Sequence, residues 1–150
     1  MNQDKDLAFW ATCKIEDLRS LCDINKCDIG HVYNITEPIN FPRLIKTLLL
    51  EQTDSVACIS HSISYANMVK SLIKTCSQEE LTRLEKKHIY YYDVPDMDLR
   101  MIGGALSVIL ENNVKWLIIK SSARFVENNK DNLIRLATNF HLIIVTIGVE

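Results

Sequence analysis

From about His31 onward, short continuous apolar runs alternate with stripes of helical period. Val32-Tyr33-Asn34-Ile35, Val56-Ala57-Cys58-Ile59, Ile89-Tyr90-Tyr91-Tyr92, Lys115–Ile119 and Leu142–Ile147 read as five strands. Between them, Asn40 suits a helix cap with Pro42 in the first turn, where a missing N–H costs little. That helix buries Leu44, Ile45, Leu48 and Leu49. A second helix runs through Met68, Val69, Leu72 and Ile73, and Ser77-x-x-Glu80 is a capping-box pattern that opens a short third one. Asp96 or Asp98 caps a helix through Ile102, Leu106, Ile109 and Leu110. Met97, Met101, Ala105 and Val108 line a second side of it, which predicts burial nearly all round or an interface. Gly103-Gly104 inside that helix costs about 1 kcal/mol per glycine relative to alanine, so close packing of another backbone is expected there. The last helix is predicted over Asn128–Asn139. At the start, the stripe Leu7, Trp10, Ala11, Lys14, Ile15, Leu18 and Leu21 predicts an N-terminal helix.

Strands that read as unbroken apolar runs and alternate with helices predict an α/β fold, with a mostly parallel five-stranded sheet flanked by helices. At 150 residues, positions 1–150 are expected to form one domain. Composition narrows the function. A net charge of −2 gives no basic surplus of the sort that autonomous nucleic-acid binding needs. Five cysteines without a C-x-x-C pair predict reduced thiols rather than a disulfide framework. No apolar signal core or membrane-length apolar run is present, which predicts a soluble intracellular chain with no membrane association.

The order of these pieces resembles the ATPase core of the RecA-family recombinases, in particular the eukaryotic paralogues that assist strand-exchange filaments. Glu16-Asp17-Leu18-Arg19-Ser20-Leu21, followed by Ile29-Gly30-His31-Val32-Tyr33-Asn34-Ile35, is similar to the family's lead-in. Ser55–Ser62 is similar to the strand that carries its catalytic acid. Arg135-Leu136-Ala137-Thr138-Asn139-Phe140 followed by His141–Thr146 is similar to its "R-L-A-x-x-F" helix and the strand after it. The resemblance implies a minimal RecA-like domain in which residues 1–22 form a lead-in that engages a neighbour.

Set against that family, the nucleotide elements are degenerate. A phosphate-binding loop needs glycines and a lysine; the matching stretch is Thr36-Glu37-Pro38-Ile39-Asn40-Phe41-Pro42-Arg43. Ser60-His61-Ser62 replaces the water-activating acid, and Ile147-Gly148 replaces the phosphate sensor. Lys120 stands for the magnesium-anchoring aspartate, although magnesium takes oxygen donors and an ammonium offers none. No DNA-binding loops are expected: the first would fall between Phe125 and the Asn128 helix, the second after Val149. The resemblance thus implies a pseudo-ATPase without cofactor or metal, not an enzyme. It implies a nuclear subunit of a hetero-oligomer with RecA-like paralogues and a SWIM-type zinc-binding subunit. Such a complex promotes recombinase filament assembly in homologous recombination and error-free DNA damage tolerance.

Candidate partner contacts are Phe9 and Trp10 in the lead-in, Met97 and Met101 on the two-sided helix, and Val145 and Ile147 on the apolar terminal run. That run is expected at a sheet edge open to another chain. Lys120 is expected to snorkel to solvent at the sheet's end, with an ion pair to an acid such as Glu37 as the alternative. Tyr90 and Tyr92 should share one sheet face while Tyr91 points to the other, for packing rather than base stacking. Lys70, Lys74, Arg83, Lys86 and Lys87 read as a solvated face. The alternative reading is a small α/β enzyme using Cys58, Ser60 and His61 at a strand end, where open sheets bind ligands. These three lack the glycines of a nucleophile elbow. The scattered histidines and cysteines lack the ligand spacing of a zinc site.

Overall fold

The computed structural model describes residues 10–13, 29–35, 40–61 and 63–149. Six strands form one all-parallel sheet: β1 (Trp10–Cys13), β2 (Val32–Ile35), β3 (Ser55–Ser60), β4 (His88–Asp93), β5 (Trp116–Ser122) and β6 (Ile143–Val149). Their spatial order is β1-β2-β6-β5-β3-β4. The α/β class, the parallel sheet and all five expected strands are present.

Among the described residues six helices connect them: α1 (Phe41–Glu51), α2 (Tyr65–Lys74), α3 (Gln78–Leu84), α4 (Leu99–Glu111), α5 (Ala123–Asn128) and α6 (Lys130–Phe140). Local chemistry sets their starts. Asn40 Oδ1 accepts from the Arg43 N–H at 3.1 Å, with Pro42 in the first turn where no donor is needed. The box at Ser77 and Glu80 closes both ways, at 3.2 and 2.9 Å. Of the two candidate aspartates, Asp98 is the cap of α4, accepting from Met101 N–H at 3.0 Å. At the other end of α6, His141 takes the left-handed conformation (φ 55°) that terminates a helix and turns the chain into β6.

Two apolar layers sandwich the sheet. Phe41, Leu44, Ile45, Leu48 and Leu49 of α1 and Met68 and Leu72 of α2 pack on the face formed by Tyr33, Ile35, Val56, Cys58, Ile118, Val145 and Ile147. Ile102, Ala105 and Ile109 of α4 and Leu133, Ile134 and Ala137 of α6 cover the other face, against Val32, Ala57, Ile59, Leu117, Ile119 and Ile144. Strands β3 and β5 are therefore apolar on both sides, as continuous runs require.

Several expectations are corrected. The N-terminal stripe does not begin a helix at Trp10: Trp10–Cys13 pairs with β2 as an edge strand. A few apolar positions fit either period, and sheet pairing gives the backbone its partners. The terminal run is not an edge strand. β6 lies between β2 and β5, and Val145 and Ile147 are buried in the interior, so neither is open to a partner. The two-sided helix is one-sided: Met97 is half-buried against the core, while Met101 and Leu110 are exposed. Gly103 and Gly104 meet nothing within 4 Å of where a Cβ would sit, so no close backbone packs there. The expected Asn128–Asn139 helix is present as α6, and an unexpected short helix, α5, capped by Ser122, precedes it.

Candidate functional site

The helices that follow β2 and β3 lie on one face, and those that follow β4 and β5 lie on the other. The connection leaving β3 moves outward to β4, whereas the one leaving β5 moves inward to β6. Between the carboxyl ends of β3 and β5, the winding thus reverses. Open α/β sheets bind ligands in such a crevice, because the diverging connections leave a gap above the strands.

The register sets one row across this end, Asp93–Ser60–Lys120–Ile147, on β4, β3, β5 and β6. Side chains alternate along a strand, so Ser60 and Lys120 lie on the same face as Cys58 and Ile118, beneath α1 and α2. Backbone bonds fix the exits of three strands. His61 N–H donates to the Lys120 carbonyl at 3.0 Å, and Val94 N–H donates to the Ser60 carbonyl at 3.0 Å. The His61 ring is also tied down, with Nδ1 3.2 Å from the Val94 carbonyl.

Side-chain polarity in the row is less well matched. Ser60 is fully buried, and its Oγ has no hydrogen-bond partner. The adjacent Tyr91 hydroxyl donates instead to the Ile63 carbonyl at 2.7 Å. Burial pushes the Tyr91 hydroxyl's pKa up, and the nearby Ser60 opposes this, although no bond of hydrogen-bond geometry joins them. Lys120 is partly buried, and desolvation lowers its pKa from the usual 10.5. No ion pair compensates it among the described residues; Glu37, the alternative partner, lies outside them. Cys58 is fully buried, and desolvation drives its thiol pKa far up, which suits a core thiol rather than a nucleophile.

The fold brings Ser60, His61 and Lys120 to one end of the sheet but does not link them as a nucleophile and base. His61 is exposed and bonded to a carbonyl, and Ser60 Oγ receives nothing from it. Of the degenerate phosphate-loop stretch, Pro42 is buried and Arg43 is exposed in the first turn of α1, while Thr36 and Glu37 lie outside the described residues, as does Phe9. Among the described residues no group of three His, Cys, Asp or Glu side chains is placed to hold a metal ion. None of their helices is long and apolar enough to cross a membrane.

The basic residues near α3 are partly committed to structure: Lys87 pairs with Asp54 at 2.6 Å, and Arg83 donates to the Leu50 carbonyl at 2.9 Å. Tyr90 and Tyr92 pack on one face and Tyr91 on the other, as the alternation predicts. Two features escape a reading of the sequence. Thr146 Oγ1 donates to Asn34 Oδ1 at 2.8 Å across β2 and β6, a pairing hinted at only by polar residues inside apolar strands. Gly148 lies against the start of α5, where an added Cβ would sit 3.0 Å from Ala123 Cα. The chain matches no protein-family model and no curated protein sequence.

Proposed function

We propose that this chain is a non-catalytic, RecA-like scaffold subunit of a heteromeric recombinase-paralogue complex, of the kind represented by the yeast Shu complex. Its companions are RecA-like paralogues and a SWIM-type zinc-binding subunit, and its place is the nucleus. The complex favours recombinase filament assembly in homologous recombination and in error-free tolerance of DNA damage. The all-parallel, doubly covered sheet is compatible with a Rossmann or RecA-like core.

Lys120 is the observation that carries the reading. It sits at the winding reversal, on the strand where the resemblance puts a magnesium-anchoring acid. A cation there repels a divalent metal instead of binding it. The buried, high-pKa Cys58 and the unlinked Ser60 and His61 add no competing chemistry. A scaffold needs surfaces, and the described ones with large exposed apolar side chains include Met101 and Leu110 on α4. The edge strand β1 begins at Trp10, next to Phe9 in the lead-in.

The test is a tagged purification from the native cell after nuclease treatment, with companions identified by mass spectrometry. Recovery of RecA-like paralogues with a SWIM-type protein is the expected result; a solitary chain, or one bound to metabolic enzymes, refutes the reading. Within the recovered complex, joint Phe9→Ala and Trp10→Ala substitution is expected to weaken partner binding by about tenfold or more, as truncated aromatic anchors do. Val145→Ala, by contrast, should act on stability.

A further inference from the structure

On the sheet face that carries α1, α2 and α3, α1 packs against both of the other helices. Helix α2 joins β3 to β4, the last strand of the sheet, and packs over it. Its Met68 and Leu72 are buried in the core. Beside them, Tyr65, Val69 and Ile73 stand at i, i+4 and i+8, an apolar row along one flank. Val69 is half-buried against the core, and the Tyr65 ring lies 5.6 Å from that of Tyr91 on β4. Tyr65 and Ile73 are 53% and 50% exposed, more than Met101 or Leu110 of α4, so the barest large apolar side chains on the described helices are here.

The border of this row is cationic. Lys70 and Lys74, one turn apart, follow it on the solvent side, and α2 holds no acidic residue. Neither lysine is in an ion pair among the described residues, where Lys46 takes Glu80 and Lys87 takes Asp54. Lys74, in the last turn, also complements the negative end of the helix dipole; Lys70, in mid-helix, has no such role. An apolar row bordered by one sign of charge is half of a two-helix seam, whose other half brings the opposite charge beside its own apolar positions.

These features suit a helix better than a strand. The row follows the axis of α2 over eight residues, about 12 Å, and helices pack side by side at about 8–10 Å. A helix satisfies its own backbone groups, so it needs only side-chain contacts, which is what this flank offers. The backbone edge of β4 takes no part.

We infer that the outer flank of α2 docks an amphipathic helix of another protein, which sets an apolar face on Tyr65, Val69 and Ile73 and carboxylates against Lys70 and Lys74. This goes beyond the scaffold reading and does not rest on it: it fixes the chemistry of the contact, not the identity of the companion.

The test is carbodiimide coupling of the chain as purified with its companions from the native cell. The reagent joins a lysine amine to a carboxylate already in contact with it, and mass spectrometry locates the new amide. Lys70 or Lys74 is expected to be coupled to Asp or Glu on an amphipathic helix of a companion. Coupling to such a helix in a metabolic enzyme upholds the inference and refutes the scaffold reading. RecA-like companions with neither lysine coupled do the reverse. Coupling only within copies of this chain, or a solitary chain, overturns the inference. In the recovered complex, joint Tyr65→Ser and Ile73→Ser substitution is expected to weaken binding by about tenfold or more. Both side chains are half exposed, and circular dichroism verifies that the fold persists. Joint Lys70→Glu and Lys74→Glu substitution is expected to weaken binding by roughly three- to tenfold, and changing the coupled carboxylates to lysine should restore it. Binding unmoved by both double substitutions overturns the inference, as does a charge reversal that the partner's reversal does not rescue.

Discussion

The two ends of the sheet treat their polar groups differently. At the amino end, side chains that could have faced solvent alone are bonded across elements. Lys46 of α1 bridges the Thr75 carbonyl at 2.7 Å and the Glu80 carboxylate at 3.0 Å, tying α1 to α2 and α3. Arg83 reaches the Leu50 carbonyl, and Lys87 reaches Asp54. At the carboxyl end, the backbone is equally well bonded, but among the described residues Ser60 Oγ and the Lys120 ammonium have no partner. Local stability alone does not account for buried polarity without partners. The contrast therefore separates three cations tied across elements at the amino end from a hydroxyl and an ammonium left without side-chain partners at the carboxyl end.

The largest expected effect tests whether the carboxyl end tolerates change away from the Ser60–Lys120 pair. Gly148→Val places a Cβ 3.0 Å from the Ala123 backbone, which belongs to a helix and cannot swing aside like a side-chain tip. Overpacking of this kind costs about 1–3 kcal/mol, more than the β-propensity that valine adds. Thermal unfolding is expected to show a lowered midpoint. An unchanged midpoint would mean that α5 shifts freely and that this end is loose rather than selectively unsatisfied.

At the amino end, Ser77→Ala removes the cap of α3 and should cost about 1 kcal/mol in denaturant unfolding. The same box has a pH signature. The bond from Ser77 N–H, with Lys46 beside it, holds the Glu80 carboxyl below its ordinary 4.5. A depressed carboxyl contributes stability that is fully present above 4.5 and is lost as pH falls through its folded value. Glu80→Gln should therefore flatten the acid limb of a stability–pH profile; an acid limb as steep as the wild type's would place the dependence elsewhere.

The helix starts were largely legible in the sequence because their chemistry is local. Asn40 with Pro42, and Ser77 with Glu80, specify helix starts through bonds that span only three residues. The strands were legible too, as apolar runs too short for helices. Strand order was not. The connection from β2 to β3 spans two positions that β5 and β6 fill only later in the chain, so the last apolar run ends up central rather than at the edge. The Trp10–Cys13 strand was missed because a four-residue segment carries too few positions to fix a period. The site was half legible. Ser60 and Lys120 stand out as polar ends of apolar runs, but their adjacency follows from β3–β5 pairing across some sixty intervening residues, which no local pattern specifies.

Ser60→Ala should move stability in the opposite direction to Ser77→Ala. It deletes a buried hydroxyl that makes no bond, so the denaturation midpoint should stay level or rise by up to about 1 kcal/mol equivalent. A loss as large as that for Ser77→Ala would mean that Ser60 is bonded in solution, and the contrast between the ends would fail.

The smallest effect is the most specific. Desolvation lowers the Lys120 pKa, so the folded state disfavours the charge that the unfolded state carries freely. The unfolded chain then binds more protons between the folded value and 10.5, and stability rises with pH across that window. Lys120→Met removes the charge and keeps most of the stem. At neutral pH it should raise stability, by less than about 1 kcal/mol because water screens a partly open position. The advantage should shrink as pH climbs toward 10.5 and vanish above it, where the wild-type lysine is neutral in both states. Unfolding midpoints of the two proteins, measured at matched ionic strength from neutral to alkaline pH, should thus converge. A Lys120→Met protein less stable than wild type at neutral pH would instead mean that the ammonium has a carboxylate partner, making the carboxyl end as fully paired as the amino end.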